Sequence, residues 1–413
     1  RVEFGTTLVH SRKISIRAMI EMEVGCETLI EEETAVDLES SASIYKKQKP
    51  VNLLKLHTAK KDTYRIKEEI TIPGTKESIG QVLLTDITGR KLEVRAAQDE
   101  LLLRGELQIF CMYLSEEGKT DWLEQSVPYE GRIECSGATE GMYYDVQHAL
   151  EDTLADVRMD EDGEMRIIGI EGTVSVRINL YEEEELNLLE DLYSLEQKVS
   201  YQTREAVYEE LLLQNQSKCK IVENLSLPEL KDDVLQICHS SGSVQIEHVE
   251  TRAEKQGGIL IEGILHVSFL YLKADDALPF GNWQGMVPFS YLLECPDMPK
   301  DVRYQLSNRV EQISVTMTGS DSVEVKAVLD FDVFLRKEVP MQVITEVSLE
   351  ETDREELAKK PGIVGYMVKS GDDLWTLAKQ YMTTEESIRQ INHLENGKIK
   401  PGDKLIICKE IGM

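Results

Sequence analysis

The sequence lacks the features of a disulfide-rich secreted domain and of a membrane protein. Its seven cysteines are an odd number and none are spaced as CxxC, which suits a reducing cytosol better than a disulfide framework. No apolar run approaches the ~18 residues of a membrane span. Because the chain begins with Arg1 rather than Met, we expect its N-terminus to be processed or missing, so the lack of a signal peptide excludes little.

Positive charge is also scarce. The 413 residues contain 46 Lys and Arg against 76 Asp and Glu, which gives a formal net charge of −30. Such a chain repels nucleic acid and anionic lipid surfaces unless it has a local basic patch, and the sequence has no long basic run. We therefore expect no nucleic-acid partner and no direct membrane insertion.

Motifs for catalysis and cofactor binding are absent as well. The chain contains no GxxxxGK[ST], GxGxxG, HExxH or GxSxG pattern, and these patterns mark nucleotide, metalloprotease and hydrolase sites. In so acidic a chain, carboxylates close in sequence do not indicate a glycosidase pair. We expect that the chain is not an enzyme and needs no cofactor.

Two groups of residues were weighed as metal ligands. The zinc candidates, whose spacing fits no standard pattern, are Cys219, Cys238, His239 and His248. The glutamate runs that follow Tyr181 and begin at Glu31 lack the turn residues of a calcium loop. We expect strand-edge histidines and solvated strand exits, and no metal.

What the sequence does contain is an internal repeat. The apolar positions of Leu101–Tyr113 match those of Ile259–Tyr271 one for one, with Gly105 opposite Gly263. The flanking landmarks keep the same order in both copies. They are Ile70–Pro73, Trp122, Val127–Tyr129 and Glu134–Cys135 in the first copy, and Leu225–Pro228, Trp283, Val287–Phe289 and Glu294–Cys295 in the second. We infer two copies of one domain.

Strict alternation of apolar residues ends each copy. The segments run from Ile168 to Ile178 and from Val323 to Val333, and a period of two over this length predicts a half-buried strand. A third such segment, Ile14–Val24, predicts that the chain begins with the last part of a further repeat. The repeats are thus predicted to be mainly β.

Several local features carry their own predictions. The prolines of the repeats are predicted at strand ends (Pro73, Pro228) or in loops (Pro128, Pro288), where a missing N–H is tolerated. The central Gly105 and Gly263 predict a bulge or a close backbone approach.

Two further features of the repeats lead to predictions: the tryptophan segments and the segment Thr203–Gln214. The loops after Trp122 and Trp283 are either a binding surface or part of the core, and they are predicted to be equivalent points of two superposable domains. Thr203–Gln214 is predicted to be a helix because Ala206, Val207, Leu211 and Leu212 lie on one side.

The C-terminal part has a different composition. Residues 363–410 contain seven Lys and Arg and seven Asp and Glu, so the net charge of −30 belongs to the repeats and to a predicted linker at 351–362.

Within this part, short strands are predicted around Tyr366–Val368 and Leu405–Ile407. Asp372 is predicted to cap a first helix, and Thr383 with Glu386 to open a second. The order is βααβ.

The module resembles a LysM domain. The matching residues are Tyr366, Val368, Gly371-Asp372, Leu374-Trp375, Leu377-Ala378, Ile388, Ile391-Asn392 and Lys400–Leu405. The resemblance implies binding of N-acetylglucosamine chains, as in peptidoglycan, in a groove between two loops. The implied groove residues are Gly371, Asp372, Asp373, Leu374, Ile391, Asn392, Lys398 and Ile399. Asp373 departs from the usual Thr or Ser, and Met382 from a small residue at the end of the first helix.

The repeats, with the segment EDLYSLEQ from Glu190, resemble a β repeat of spore-forming Firmicutes. Such repeats followed by one LysM domain are the architecture of the SipL-like spore coat morphogenetic proteins. The resemblance implies a non-enzymatic adaptor in the mother-cell cytoplasm at the forespore surface, whose LysM domain binds the ATPase SpoIVA. The alternatives are a peptidoglycan-binding wall protein and a scaffold that self-associates through strand edges.

The predicted domains are a truncated repeat at 1–36, repeats at 37–190 and 191–350, the linker at 351–362 and the LysM domain at 363–410. Ile363 and Trp375 are predicted to bind the partner. Trp375 lies ~100° from the buried stripe of the first helix and is expected to be partly exposed; packing in the core of the module is the other interpretation.

Overall fold

Long antiparallel strands dominate the protein. The computed structural model describes residues 2–20, 22, 24–31, 33–40, 42–231, 233–253, 257–273, 279–352, 361–394 and 398–410. Contacts divide the chain into two compact units. Unit 1 comprises Arg1–Cys26, Leu54–Glu182 and Leu211–Lys337, and unit 2 comprises Glu27–Leu53, Glu183–Glu210 and Glu338–Met413.

Fourteen strands precede the C-terminal module in the described ranges. The first two form a hairpin, β1 (Val2–His10) and β2 (Lys13–Ile20). The first repeat contains β3 (Ile44–Thr71), β4 (Ile79–Ala97), β5 (Glu100–Ser115), β6 (Thr120–Glu134), β7 (Tyr143–Met159) and β8 (Met165–Ser194). The second contains β9 (Gln197–Ser226), β10 (Val234–Arg252), β11 (Gly258–Lys273), β12 (Phe280–Glu294), β13 (Val302–Met317) and β14 (Ser322–Glu351), with a 3-10 turn at Pro228–Leu230.

The two repeats have the same topology. Each forms two three-stranded sheets, ordered β4-β5-β6 and β3-β8-β7 in the first repeat, and β10-β11-β12 and β13-β14-β9 in the second. Each pair of sheets encloses one apolar core. The alternating residues from Ile168 to Ile178 and from Val323 to Val333 are buried, so these two strand predictions are confirmed, as is the mainly β fold class.

The equivalence extends to strand register. Gly105 lies opposite Tyr129, and Gly263 lies opposite Phe289. A Cβ at Gly105 would come within 2.5 Å of the Tyr129 ring, and one at Gly263 within 3.0 Å of the Phe289 ring. The predicted bulge is confirmed beside both glycines, since the pairing shifts between Arg90 and Glu93 next to Gly105 and between Ile246 and His248 next to Gly263. At Gly263 a Cβ would also come within 2.3 Å of the Gln245 carbonyl oxygen, a close backbone approach. Glycine further leaves room for the aromatic ring that crosses over it from the neighbouring strand.

The prolines correct part of the prediction. Pro73 and Pro228 follow the ends of β3 and β9 as expected. Pro128 and Pro288 lie inside β6 and β12 rather than in loops. Both strands pair on one side only, and an edge strand tolerates a residue that cannot donate to a second neighbour.

The two tryptophans are not equivalent, which contradicts the prediction. Trp122 and Trp283 also lie in β6 and β12 rather than in loops. Trp122 precedes Val127 by five residues and Trp283 precedes Val287 by four. Since successive side chains alternate between faces, Trp283 joins the core side with Val287, where it packs in the second core, and Trp122 lies on the opposite face.

The predicted helix at 203–214 is wrong. Thr203–Gln214 lies within β9, where Ser200 hydrogen-bonds Ser348 at 2.7 Å and Thr345 donates to the Gln202 carbonyl. Pairing with β14 across the sheet prevails over the local 3.6-residue pattern, because tertiary pairing routinely overrides a weak local preference.

The N-terminal hairpin differs from the strands that it resembles. β2 ends at Ile20, whereas the alternation predicted a strand that continues to Val24. Its apolar side chains, among them Ile14 and Ile16, are exposed rather than half-buried as predicted. Within the described residues the hairpin forms a sheet of two strands, which leaves these side chains uncovered.

Unit 2 contains the outer parts of four long strands together with the C-terminal module. Small clusters such as Val51, Leu53 and Leu188 hold these strand parts together.

The glutamate run Glu182–Glu185 lies inside the continuous strand β8 rather than at a strand exit. The domain boundaries stay a prediction, and residues 353–360 of the linker lie outside the described residues. In the described part of the chain, no helix is long and apolar enough to cross a membrane.

Candidate functional site

The C-terminal module has the predicted βααβ order. Strand β15 (Ile363–Met367) is followed by helices α1 (Leu374–Tyr381) and α2 (Glu385–Ile391) and by strand β16 (Lys404–Cys408). The two strands pair antiparallel, from Ile363 opposite Cys408 to Met367 opposite Lys404.

The first loop positions the start of α1, and one residue there corrects the sequence prediction. The N-cap is Asp373, not Asp372: its carboxylate accepts from the Thr376 N–H at 2.7 Å. Asp372 instead accepts from the Tyr366 hydroxyl at 2.8 Å and from the Lys369 N–H at 2.7 Å. Asp372 thus fixes the turn, and Asp373, which replaces the family's usual Thr or Ser, supplies the helix cap.

The second helix also begins one residue later than predicted. Thr384, not Thr383, caps α2 by accepting from the Ser387 N–H at 3.0 Å. Thr383 is buried and offers its carbonyl to the Tyr193 hydroxyl at 3.0 Å. Met382, the departure at the end of α1, adopts φ +55° as the C-cap and buries its side chain.

Asn392 is a structural clamp. Its amide donates to the carbonyls of Ile388 and Ile406 at 2.8 Å each, and its oxygen accepts from the Ile406 N–H at 2.7 Å. These bonds tie the end of α2 to β16. The side chain therefore has little capacity left for the ligand role that the resemblance implies.

The remaining groove residues differ in access. Gly371 adopts φ +94°, a conformation that favours glycine, and with Lys398 it is exposed. Leu374 is buried in the core of the module. Ile391 is partly exposed, and Ile399 packs against that core.

Trp375 does not lie on an exposed flank as predicted. It is only 9% exposed, and its ring meets Tyr193 of β8 edge-on at 4.9 Å. Its indole N–H donates to Asp191 at 2.8 Å. The other interpretation, that Trp375 packs in a core, is the one found. That core contains Tyr193 of strand β8 as well as residues of the module.

Asp191 gathers the polar contacts at this junction. Besides Trp375, it accepts from Lys379 at 2.5 Å and from the Tyr201 hydroxyl at 2.6 Å. Burial favours a higher pKa for Asp191, but hydrogen bonds from Lys379, Tyr201 and Trp375 outweigh it and lower the pKa. The carboxylate therefore stays ionised at neutral pH and holds α1 to β8 and β9.

A second contact fixes the start of α1 on strand β3. Lys47 lies 3.4 Å from Asp373 and 3.5 Å from Glu190, and Tyr45 stacks on Tyr193 at 4.9 Å. One of the implied groove residues, Asp373, is thus engaged by the chain itself.

The other side of the module is open. Alternate residues of β15 and β16 point away from the core and form what we call the outward face. It consists of Ile363, Gly365, Met367, Lys404, Ile406 and Cys408. Ile363 is 71% exposed, Met367 59% and Ile406 53%, so three large apolar side chains of one small sheet face solvent.

The candidate metal ligands do not come together. Across the described ranges, no group of three or more His, Cys, Asp and Glu side chains is placed to hold a metal ion. His239 instead approaches Asp86 at 2.8 Å and Glu124 at 3.7 Å and stacks on Phe110 at 4.2 Å, which joins the two repeats within unit 1.

The cysteines are free thiols. Burial raises the pKa of the Cys111 thiol to about 11, so it is protonated at neutral pH.

Sequence reasoning missed Asp191 and Tyr193 as contacts of the module. Both lie in the segment EDLYSLEQ, which only contributed to the resemblance. Nothing in its composition indicates that a helix 184 residues later docks on it.

Comparisons with known proteins agree with both resemblances. A LysM domain model matches residues 366–407, and a model of the SipL SPOCS domain matches residues 78–160 and 233–318. No curated protein and no solved structure matches the chain. The two repeats share topology and strand register, and the SPOCS model matches one segment in each of them. The chain carries two tandem SPOCS domains of the SipL type followed by a LysM domain, and it is in this sense a SipL-like protein.

Proposed function

We propose that the chain is a non-enzymatic adaptor of spore coat assembly that binds a SpoIVA-type ATPase through its LysM domain. SPOCS and LysM domains together fit a sporulation coat adaptor or a peptidoglycan-binding protein. The observation that favours a protein partner is the apolar outward face, because exposed apolar patches on a small domain commonly mark protein interfaces. Its place of action would be the mother-cell cytoplasm at the forespore surface.

In this proposal the two predicted partner residues have different roles. Ile363 contacts the partner directly, since its side chain is 71% exposed. Trp375 positions the module on β8 through Asp191 and Tyr193. Changing Trp375 would then affect binding by loosening the module from its support.

The test of Ile363 uses the full chain and a purified SpoIVA-type ATPase. Ile363→Ala should weaken binding by ~2 kcal/mol, the usual cost of truncating an apolar anchor, and leave the melting temperature unchanged. Met286→Ala is the matched control, because Met286 is 65% exposed in β12 of unit 1. Equal affinity of both variants and the wild type would contradict the role of Ile363.

Trp375→Phe tests the positioning role. It keeps a ring against Tyr193 but removes the donor to Asp191. We expect a lower melting temperature with a moderate loss of binding, and Asp191→Asn should produce the same pair of changes. Loss of binding at an unchanged melting temperature would instead place Trp375 in the interface.

Binding of peptidoglycan is the second candidate function. Gly371 at φ +94° and the exposed Lys398 and partly exposed Ile391 keep parts of the family's groove accessible. Asp373 and Asn392 are occupied by contacts of the chain itself, which weighs against it. Sedimentation with insoluble peptidoglycan, with and without N-acetylglucosamine oligomers as competitor, decides whether the groove is used.

We further propose that the chain catalyses no reaction and needs no metal, because its sequence lacks the motifs of such sites. Elemental analysis of protein purified without added metal should find no stoichiometric metal. One metal ion per chain would overturn this part of the proposal.

A further inference from the structure

Four lysines of the LysM domain form no ion pair with any of the described residues. Lys369, Lys398, Lys400 and Lys404 are exposed, and none of them forms a salt bridge within the part of the chain that the structure describes. Two further cations of the module do form ion pairs: Lys379 pairs with Asp191, and Arg389 pairs with Glu385. In a chain with a net charge of −30, uncompensated lysines on one small module are unexpected.

Backbone hydrogen bonds bring these lysines to one end of the small sheet. The Val368 N–H donates to the Asp403 carbonyl at 2.9 Å, and the Gly402 N–H donates to the Val368 carbonyl at 2.8 Å. The segment after β15 is therefore tied to the turn before β16. Lys404 lies opposite Met367 in the register. We call Lys369, Lys398, Lys400 and Lys404 the basic end of the module.

Two carboxylates lie among these lysines and do not neutralise them. Asp372 accepts from the Lys369 N–H at 2.7 Å and from the Tyr366 hydroxyl. Asp403 accepts from the Lys400 N–H at 2.8 Å. Both close turns through backbone donors, so among the described residues the lysines outnumber the carboxylates at this end of the sheet.

We propose that the basic end and the adjoining apolar side chains Met367 and Ile406 form one docking surface for an acidic segment of the partner protein that carries apolar residues. Charge complementarity selects this occupant, because unpaired lysines beside exposed apolar groups match carboxylates beside apolar side chains. This inference rests on the proposed function and specifies the chemistry of the partner's surface.

Lysines at the rim of an interface act mainly on the rate of association and on its dependence on salt. The measurement is therefore the association rate constant of the full chain with the SpoIVA-type ATPase at several ionic strengths. The variant is the triple Lys369→Glu, Lys400→Glu, Lys404→Glu. The matched control is Lys220→Glu, Lys231→Glu, Lys300→Glu, which changes the net charge equally at exposed lysines of unit 1.

We expect the LysM triple variant to associate about tenfold or more slowly at low salt and to lose most of its salt dependence. The control should stay closer to the wild type, because it changes the net charge equally but leaves the lysines of the proposed docking surface in place. An equal effect of both triples would overturn the inference, because net charge alone would then explain the rate.

Three other outcomes are distinguishable. If Ile363→Ala weakens binding while the LysM triple variant binds as the wild type does, this inference fails and the proposed function stands. If the triple changes only self-association in sedimentation, the lysines protect strand edges or bind a second copy, and the inference is overturned. If the wild-type chain does not bind the ATPase, the proposed function fails and the inference fails with it.

Discussion

Among single side chains, Asp191 carries the attachment of the LysM domain to the rest of unit 2. Three side chains donate to it, and two of them, Trp375 and Lys379, belong to α1. Without the carboxylate, a half-buried ammonium group and an indole N–H would both lose their acceptor, which costs more than an exposed ion pair.

Asp191→Ala should therefore lower the free energy of unfolding by about 2 kcal/mol, the range for hydrogen bonds to a charged group. Chemical denaturation of the full chain measures this, with Glu190→Ala as the neighbouring control, since the half-exposed Glu190 lies 3.5 Å from Lys47 and takes no part in the contacts of Asp191. Equal destabilisation by both variants would show that the hydrogen bonds of Asp191 add nothing specific.

His239 is the residue whose titration should be visible near neutral pH. Burial favours a lower pKa for His239, but hydrogen bonds and charge from Asp86 and Glu124 raise it. Arg90 is the cation near the same two carboxylates. A raised pKa in the folded state means stability that is present below the ordinary value of about 6.5 and lost as pH rises through the higher folded value.

The melting temperature should thus fall on going from pH 6 to pH 8, and His239→Gln should remove most of that fall. His148 does not interfere, because burial and the neighbouring Arg309 lower its pKa to about 4. Melting curves of the two proteins across this range give the comparison; parallel curves would contradict the raised pKa of His239.

Among the elements, the central strand of each repeat depends on glycine. A Cβ at Gly105 would overlap the ring of Tyr129, and such overlap in a packed core costs about 1–3 kcal/mol. Gly105→Ala should therefore lower the melting temperature by the amount that corresponds to this loss of stability. Gly74→Ala, with nothing within 4 Å of its added Cβ, should change it little. Similar melting of the two variants would show that Tyr129 can move aside freely.

The sequence predicts the elements well where one strong signal acts alone. Six alternating positions from Ile168 to Ile178 suffice to predict a buried strand, and the LysM motif suffices to predict the βααβ order. The prediction fails where signals compete. Thr203–Gln214 has helical spacing but pairs in β9, and Trp122 and Trp283 share a motif but differ in spacing by one residue, which reverses the face.

For the whole molecule, the duplicated domain and the LysM module follow from the sequence, but the support of the module does not. The contact between Trp375 and Asp191 joins residues far apart in the chain, and no local pattern specifies such a pair. The same holds for the burial of Trp375, which depends on Tyr193 rather than on the spacing within α1. Contacts of this kind explain why the predicted exposed flank for Trp375 was wrong.

The central claim is that this LysM domain binds a coat ATPase and not a glycan. The most direct measurement is calorimetric titration of the full chain with a purified SpoIVA-type ATPase, in parallel with N-acetylglucosamine oligomers. We predict saturable binding of the ATPase that Ile363→Ala weakens and Met286→Ala does not, with no heat from the oligomers. Saturable binding of the oligomers without binding of the ATPase would contradict the account.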